Sequence, residues 1–116
     1  MITIKNDRTV FFDVDDTLIM WDHIDKELPT VEINNNGHKR TFQVHHAHVQ
    51  KIKNYSLLGM VVVVWSHSGY EWAEAVVKAL DIEKHVDFAM SKPDRIFDDY
   101  PLETLALRKY IKPEDL

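Results

Sequence analysis

The feature that most constrains this chain is an abrupt change from apolar to acidic residues near its start. Residues 10–12 are β-branched or aromatic, which favours a buried strand. Asp13, Asp15 and Asp16 follow, and the first two point to the same side of an extended backbone. Carboxylates this close repel one another, and a hard cation such as Mg²⁺ relieves the conflict because it prefers oxygen ligands. The stretch predicts either a magnesium and phosphate site or a plain acidic turn at a strand end.

Composition limits the class of protein. The chain has 116 residues, 45% of them hydrophobic, so we expect a single domain over residues 1–116 with one core. It has no cysteine, which excludes disulfides and cysteine-based metal sites or nucleophiles. Its longest fully apolar run, residues 60–65, is far shorter than the roughly 20 residues of a membrane span. With no apparent signal peptide, we expect a soluble cytoplasmic protein without membrane contact.

A β-hairpin is predicted at residues 30–44. Two alternating segments, residues 31–33 and 41–44, flank an Asn-rich stretch that ends in Asn36-Gly37. Asn-Gly favours a primed turn, which needs positive φ. The net charge of −5 provides no general basic field for nucleic acid, but a local basic patch is compatible with it. Residues at the hairpin tip are either a solvated turn or a contact for an anionic substrate: His38, Lys39 and Arg40.

Helical spacing of apolar residues predicts a helix from about residue 45 to 58, ended by Gly59. Three histidines stand at its start. They are either surface and core-edge side chains or part of a metal site, although no acidic or thiolate partner lies nearby in sequence. These three residues are His45, His46 and His48.

The second half of the chain reads as alternating strands and helices. Residues 60–65 form a continuous apolar run typical of a central parallel strand covered on both faces. A helix is predicted at 70–80, strands at 86–90 and 95–97, and a last helix at 101–110. This order predicts an α/β fold: a three-layer, Rossmann-like, mostly parallel sheet with a β-hairpin insertion and no large cap domain.

Reactive side chains follow several of the predicted strands. In open parallel sheets, ligands bind beyond the carboxyl ends of the strands, so these side chains should converge on one edge. A cluster of acids with a hydroxyl and an ammonium group beside it suits a phosphate group paired with Mg²⁺. The residues concerned are Asp13, Asp15, Ser66, Lys92, Asp98 and Asp99.

With these motifs in place, the chain resembles the phosphatase-type members of the haloacid dehalogenase superfamily. The family's four motifs occur in order: D-x-D-x-T after a hydrophobic strand, a serine that ends a strand, a lysine, and an acidic pair. The matching residues are Asp13, Asp15, Thr17, Ser66, Lys92, Asp98 and Asp99. One departure is that only residues 93–97 separate the lysine from the acidic pair, too few for a helical crossover. The hairpin at 30–44 looks like the short flap of a capless member.

The resemblance implies a Mg²⁺-dependent phosphomonoester hydrolase. Asp13 would attack phosphorus and form an aspartyl-phosphate, while Asp15 would act as general acid and base. The resemblance assigns Mg²⁺ to Asp13, the Asp15 backbone carbonyl and Asp98, with Asp99 as a direct or indirect ligand. Phosphate contacts fall to three further residues, of which the first also orients the loop: Thr17, Ser66 and Lys92.

The substrate stays open at this level. A nucleotide, an oligonucleotide end, a phosphosugar and a phosphoprotein are all compatible with an uncapped site. Two other functions compete with hydrolysis. One is a non-catalytic module that binds phosphate or a partner on the same fold, because fold does not fix function. The other is a phosphotransferase, which the lack of a sealing cap disfavours because water would reach the aspartyl-phosphate.

Overall fold

The computed structural model describes residues 5–22 and 29–101. Within them the chain forms six strands, two α-helices and a 3₁₀ turn at Glu83–His85. The strands and helices, in chain order, are β1 (Thr9–Asp13), β2 (Ile19–Met20), β3 (Thr30–Asn35), β4 (His38–Val44), α1 (His46–Leu57), β5 (Val61–Ser66), α2 (Tyr70–Ala79) and β6 (Phe88–Ser91).

The first sheet is parallel, with β5 between β1 and β6. Val62, Val63 and Val64 are all buried, so the central strand is covered on both faces as its unbroken apolar run predicts. The register pairs Asp13 with Trp65 in β1 and β5. Because all three strands run in the same direction, the sheet gathers their carboxyl ends at one edge.

The second sheet is antiparallel, in the order β2-β4-β3. Its two longer strands meet at a two-residue turn, where Asn36 and Gly37 have φ of 55° and 84°. Positive φ at both positions is what a primed turn requires, in agreement with the Asn-Gly prediction. Phe42 and Ile33 turn inward from this sheet and are buried in the core. A flap function for this hairpin stays a prediction.

Both predicted central helices are present, and each contributes one apolar stripe to the core. From α1, Val49 and Ile52 are buried. From α2, the buried residues include Trp72 and Val76. Gly59, with φ of 85°, follows the end of α1 and lets the chain turn into β5. In the part of the chain that the structure describes, no helix is long and apolar enough to cross a membrane.

The predicted strand at 95–97 is wrong. The segment is irregular, and the side chains of Ile96 and Phe97 are 56% and 94% exposed. Local β propensity was the only support for this strand, and so short a link after β6 cannot return the chain to a parallel position in the sheet. The predicted helix at 101–110 lies outside the described residues except for Pro101. The observed fold is therefore mixed α/β, with a three-stranded parallel sheet that is compatible with a Rossmann-like architecture.

Candidate active site

Asp13 is the last residue of β1, and two other elements bring polar groups to its carboxylate. The Lys92 ammonium lies 2.8 Å from Asp13 Oδ1. The Thr17 hydroxyl donates a hydrogen bond to Asp13 Oδ2 at 3.0 Å. The backbone N–H of Lys92 in turn donates to the Ser66 carbonyl oxygen at 2.9 Å, which fixes the lysine just beyond β6. The edge of the parallel sheet thus brings together residues from three distant parts of the sequence: Asp13 with Thr17, Ser66, and Lys92.

Asp15 lies beside this group, and two indoles hold its carboxylate. Trp21 Nε1 donates to Asp15 Oδ1 at 2.8 Å, and Trp72 Nε1 donates to the same oxygen at 3.0 Å. The Ser66 hydroxyl lies 3.5 Å from the other oxygen, Oδ2. Two donors on one oxygen fix the plane of the carboxylate and leave the second oxygen facing the serine. Asp15 is therefore oriented from both sheets and from α2.

The turn that follows explains how Trp21 reaches Asp15. Asp16 has φ of 59°, a left-handed conformation that costs a non-glycine residue about 1–2 kcal/mol. Its backbone N–H donates to the Ile19 carbonyl at 2.7 Å, and its side chain accepts from the Trp21 N–H at 3.2 Å. These two bonds offset the cost and reverse the chain, which brings the indole N–H of Trp21 within hydrogen-bond distance of the Asp15 carboxylate.

His48 contacts the loop that carries Thr17. It is buried on α1, and its Nδ1–H donates to the Thr17 carbonyl oxygen at 2.6 Å. His45 is the N-cap of α1: its ring nitrogen accepts from the His48 backbone N–H, and the two rings stack at 3.9 Å. Burial, and next the nearby charge of His48, lowers the pKa of His45 below its ordinary value. Two of the three histidines therefore have a role in packing and capping, and His46 is exposed.

The acidic pair Asp98-Asp99 lies on an exposed, irregular segment after β6. Asp98 Oδ1 accepts from the Tyr100 backbone N–H at 3.1 Å, and this bond lowers the pKa of Asp98. Among residues 5–22 and 29–101, no group of three or more histidine, cysteine or acidic side chains is arranged to hold a metal ion. The structure therefore does not join this pair to Asp13 and Asp15, because no strand fixes its position. A metal role for Asp98 or Asp99 stays a prediction.

The hairpin tip borders a recess of about 510 Å³, which Trp21 and Trp72 also line. The Arg40 guanidinium lies 4.5 Å from the centre of the Trp21 ring. Lys39 forms a loose ion pair with Glu32 at 3.9 Å, and both side chains are exposed. We call this space the aromatic recess, defined by Trp21, Phe42 and Trp72 together with His38, Lys39 and Arg40. All three predicted tip contacts line it.

The sequence analysis did not predict the roles that three residues have in the site: Trp21, Trp72 and His48. Trp72 looked like an ordinary helix residue, and its N–H finds Asp15 only because α2 packs against the sheet edge. One feature of the sequence could have indicated these hydrogen bonds. Trp21 follows the acidic turn and Trp72 follows Ser66, and a buried tryptophan N–H usually has a hydrogen-bond partner.

Comparison with known proteins adds a family to this geometry. No curated protein and no solved structure matches the sequence. A family model described as NLI interacting factor-like phosphatase matches residues 8–112, which include every residue of the site described above. That family is a capless phosphatase family of the haloacid dehalogenase superfamily, as the four motifs indicated. The chain therefore belongs to the NLI interacting factor-like phosphatases.

Proposed function

We propose that this chain is a Mg²⁺-dependent phosphomonoester hydrolase that works through an aspartyl-phosphate on Asp13. Its family indicates a phosphatase. The observation that carries the finer proposal is the setting of Asp13, whose two oxygens contact Lys92 and Thr17 beside an oriented Asp15. A carboxylate nucleophile next to a second, separately held carboxylate suits two-step phosphoryl transfer.

Asp13 and Asp15 have different roles in the proposed reaction. In the first step an Asp13 oxygen forms a bond to phosphorus and the bond to the leaving oxygen breaks, while Asp15 gives that oxygen a proton. In the second step Asp15 takes a proton from water, the water oxygen bonds to phosphorus, and Asp13 is released. Lys92 and the Ser66 hydroxyl supply hydrogen bonds and charge to the transferring group. The buried position of Ser66 preorganises that contact.

The donor set of Asp13 and Asp15 fits Mg²⁺, because carboxylate and carbonyl oxygens are the ligands that this ion prefers. The Asp13 carboxylate and the Asp15 backbone carbonyl would hold the ion; the structure does not place Asp98 or Asp99 beside them, so either could add an oxygen only after its exposed segment moved to the sheet edge. When bound, Mg²⁺ would offset the repulsion between the Asp13 carboxylate and the phosphate anion. Lys92 offsets part of the same repulsion from within the chain.

The two alternative functions, a module that only binds phosphate and a phosphotransferase, have less support. A module that only binds phosphate has no need of a second carboxylate with two indole donors on one oxygen. A phosphotransferase must keep water from the aspartyl-phosphate, and a capless family offers no domain to do so.

The test is hydrolysis of p-nitrophenyl phosphate with and without Mg²⁺ by the wild type and by Asp13→Asn. We expect Asp13→Asn to reduce kcat by several orders of magnitude, because the nucleophile is lost. The matched control is Asp81→Asn, an exposed position after α2 whose φ of 55° asparagine also accepts. Near wild-type turnover by Asp13→Asn would overturn the assignment.

A further inference from the structure

The aromatic recess shares two of its walls with the setting of Asp15: Trp21 and Trp72 line the recess, and both donate to Asp15 Oδ1. A smaller hollow of about 190 Å³ adjoins it and shares Trp21, Asn35 and Trp72 as walls. Ser68 also lines this hollow, and its backbone N–H donates to the Ser66 hydroxyl at 3.0 Å. In the proposed reaction Asp15 protonates the leaving oxygen, so a leaving group beside Asp15 would lie near Trp21 and Trp72, which line the recess.

The recess offers a planar stacking surface. Trp21 is 37% exposed although its N–H is bonded to Asp15. Its ring lies 4.8 Å from that of Phe42 and 6.4 Å from that of Trp72, so the indole is held in place. The Arg40 guanidinium lies over this ring, 4.5 Å from its centre, and adds a cation beside the aromatic surface. Indole and guanidinium planes are the surfaces on which nucleic-acid bases stack.

The charge and the hydrogen-bonding groups of the recess also suit a nucleic-acid base. The chain has a net charge of −5, yet none of the described residues that line the recess is acidic, and the tip contributes His38, Lys39 and Arg40. Asn35 adds an amide that can both donate to and accept from a base edge. Cations beside a stacking surface are typical of sites for single-stranded nucleic acid.

We propose that the aromatic recess binds the base of a phosphorylated nucleotide, either free or at the end of a single-stranded oligonucleotide. The proposal rests on the hydrolase function above and names its substrate class. The recess volume falls in the range of about 300–1,000 Å³ that is typical of small-ligand pockets. A phosphosugar has no planar group for this surface.

The experiment compares kcat/KM for two oligonucleotides that differ only in the phosphorylated terminal nucleotide, which carries a base in one and is abasic in the other. The base should raise kcat/KM by roughly 5- to 150-fold, which corresponds to the about 1–3 kcal/mol that stacking contributes per base. In Arg40→Ala this ratio should fall toward one. Arg8→Ala is the matched control, since Arg8 is exposed at the opposite end of β1 from Asp13, and it should keep the wild-type ratio.

Further substrates separate the sources of the base. Equal kcat/KM for a nucleoside monophosphate and the oligonucleotide supports a free nucleotide, and a preference for the oligonucleotide supports a nucleic-acid end. A wild-type ratio of one between base-bearing and abasic substrates overturns the proposal, as does a phosphopeptide that surpasses both. In either case Asp13-dependent hydrolysis of p-nitrophenyl phosphate still tests the hydrolase function separately.

Discussion

Replacing Trp72 by phenylalanine removes one donor from Asp15 and leaves an aromatic ring on α2. The lost hydrogen bond is 3.0 Å long and goes to a carboxylate, and such bonds contribute about 1.5–3 kcal/mol. Trp21 still donates to the same oxygen at 2.8 Å, so we use the lower end of that range. About 1.4 kcal/mol corresponds to a tenfold change in rate. We therefore expect kcat to fall roughly tenfold through a less well oriented Asp15.

The assay is a series of phosphate monoesters with leaving groups that range from activated phenols to alkyl alcohols. Proton donation matters most for the alkyl esters, so Trp72→Phe should lose most activity there. In an Asp15→Asn background the same substitution should have little further effect, because its target is gone. Trp65→Phe is the matched control: this tryptophan packs on Phe11 in β1, and its N–H has no hydrogen-bond partner among the described residues.

Three results would refute this reasoning. They are an equal loss of activity across all leaving groups, an effect additive with that of Asp15→Asn, and an effect no larger than that of Trp65→Phe. Any of them would show that Trp72 supports the fold without positioning Asp15. Thermal unfolding of each variant measures separately how far the substitution lowers the stability of the fold.

Two other predictions follow from the site and from α1. Asp98→Ala should raise the Mg²⁺ concentration needed for half-maximal activity more than it raises KM, and an unchanged Mg²⁺ dependence would remove Asp98 as a ligand. Because the pKa of His45 lies below its ordinary value of 6.5, the unfolded chain binds more protons than the folded chain just below that pH. The free energy of unfolding should therefore fall as pH decreases from 6.5 toward the lowered pKa, and His45→Asn, which keeps an N-cap acceptor, should reduce this slope. Urea unfolding across this pH range measures both slopes, and equal slopes would contradict the prediction.

The sequence predicted those features that depend on local chemistry or on simple sheet geometry. Asn36 and Gly37 form the expected turn because few residues accept positive φ at two successive positions. Asp13 meets Lys92 across the strand ends because a parallel sheet gathers its carboxyl ends at one edge. Both inferences needed only short-range patterns and the order of the elements.

Features that depend on packing between distant elements could not be read from the sequence. The bond from Trp72 to Asp15 requires the position of α2 relative to the sheet edge, which no periodicity encodes. The contact between His48 and the Thr17 carbonyl likewise depends on how α1 packs. Ile96 and Phe97 misled the strand prediction because β propensity reflects burial against neighbours, and here the described neighbours do not cover them.

The measurement that tests the central claim most directly is a search for the covalent intermediate. Wild-type protein is mixed with excess substrate, quenched in acid during turnover, digested and analysed by mass spectrometry. We predict one added phosphoryl group on the peptide that contains Asp13, labile to hydroxylamine and absent from Asp13→Asn. Continued turnover with no adduct, or an adduct on another residue, would contradict the proposed mechanism.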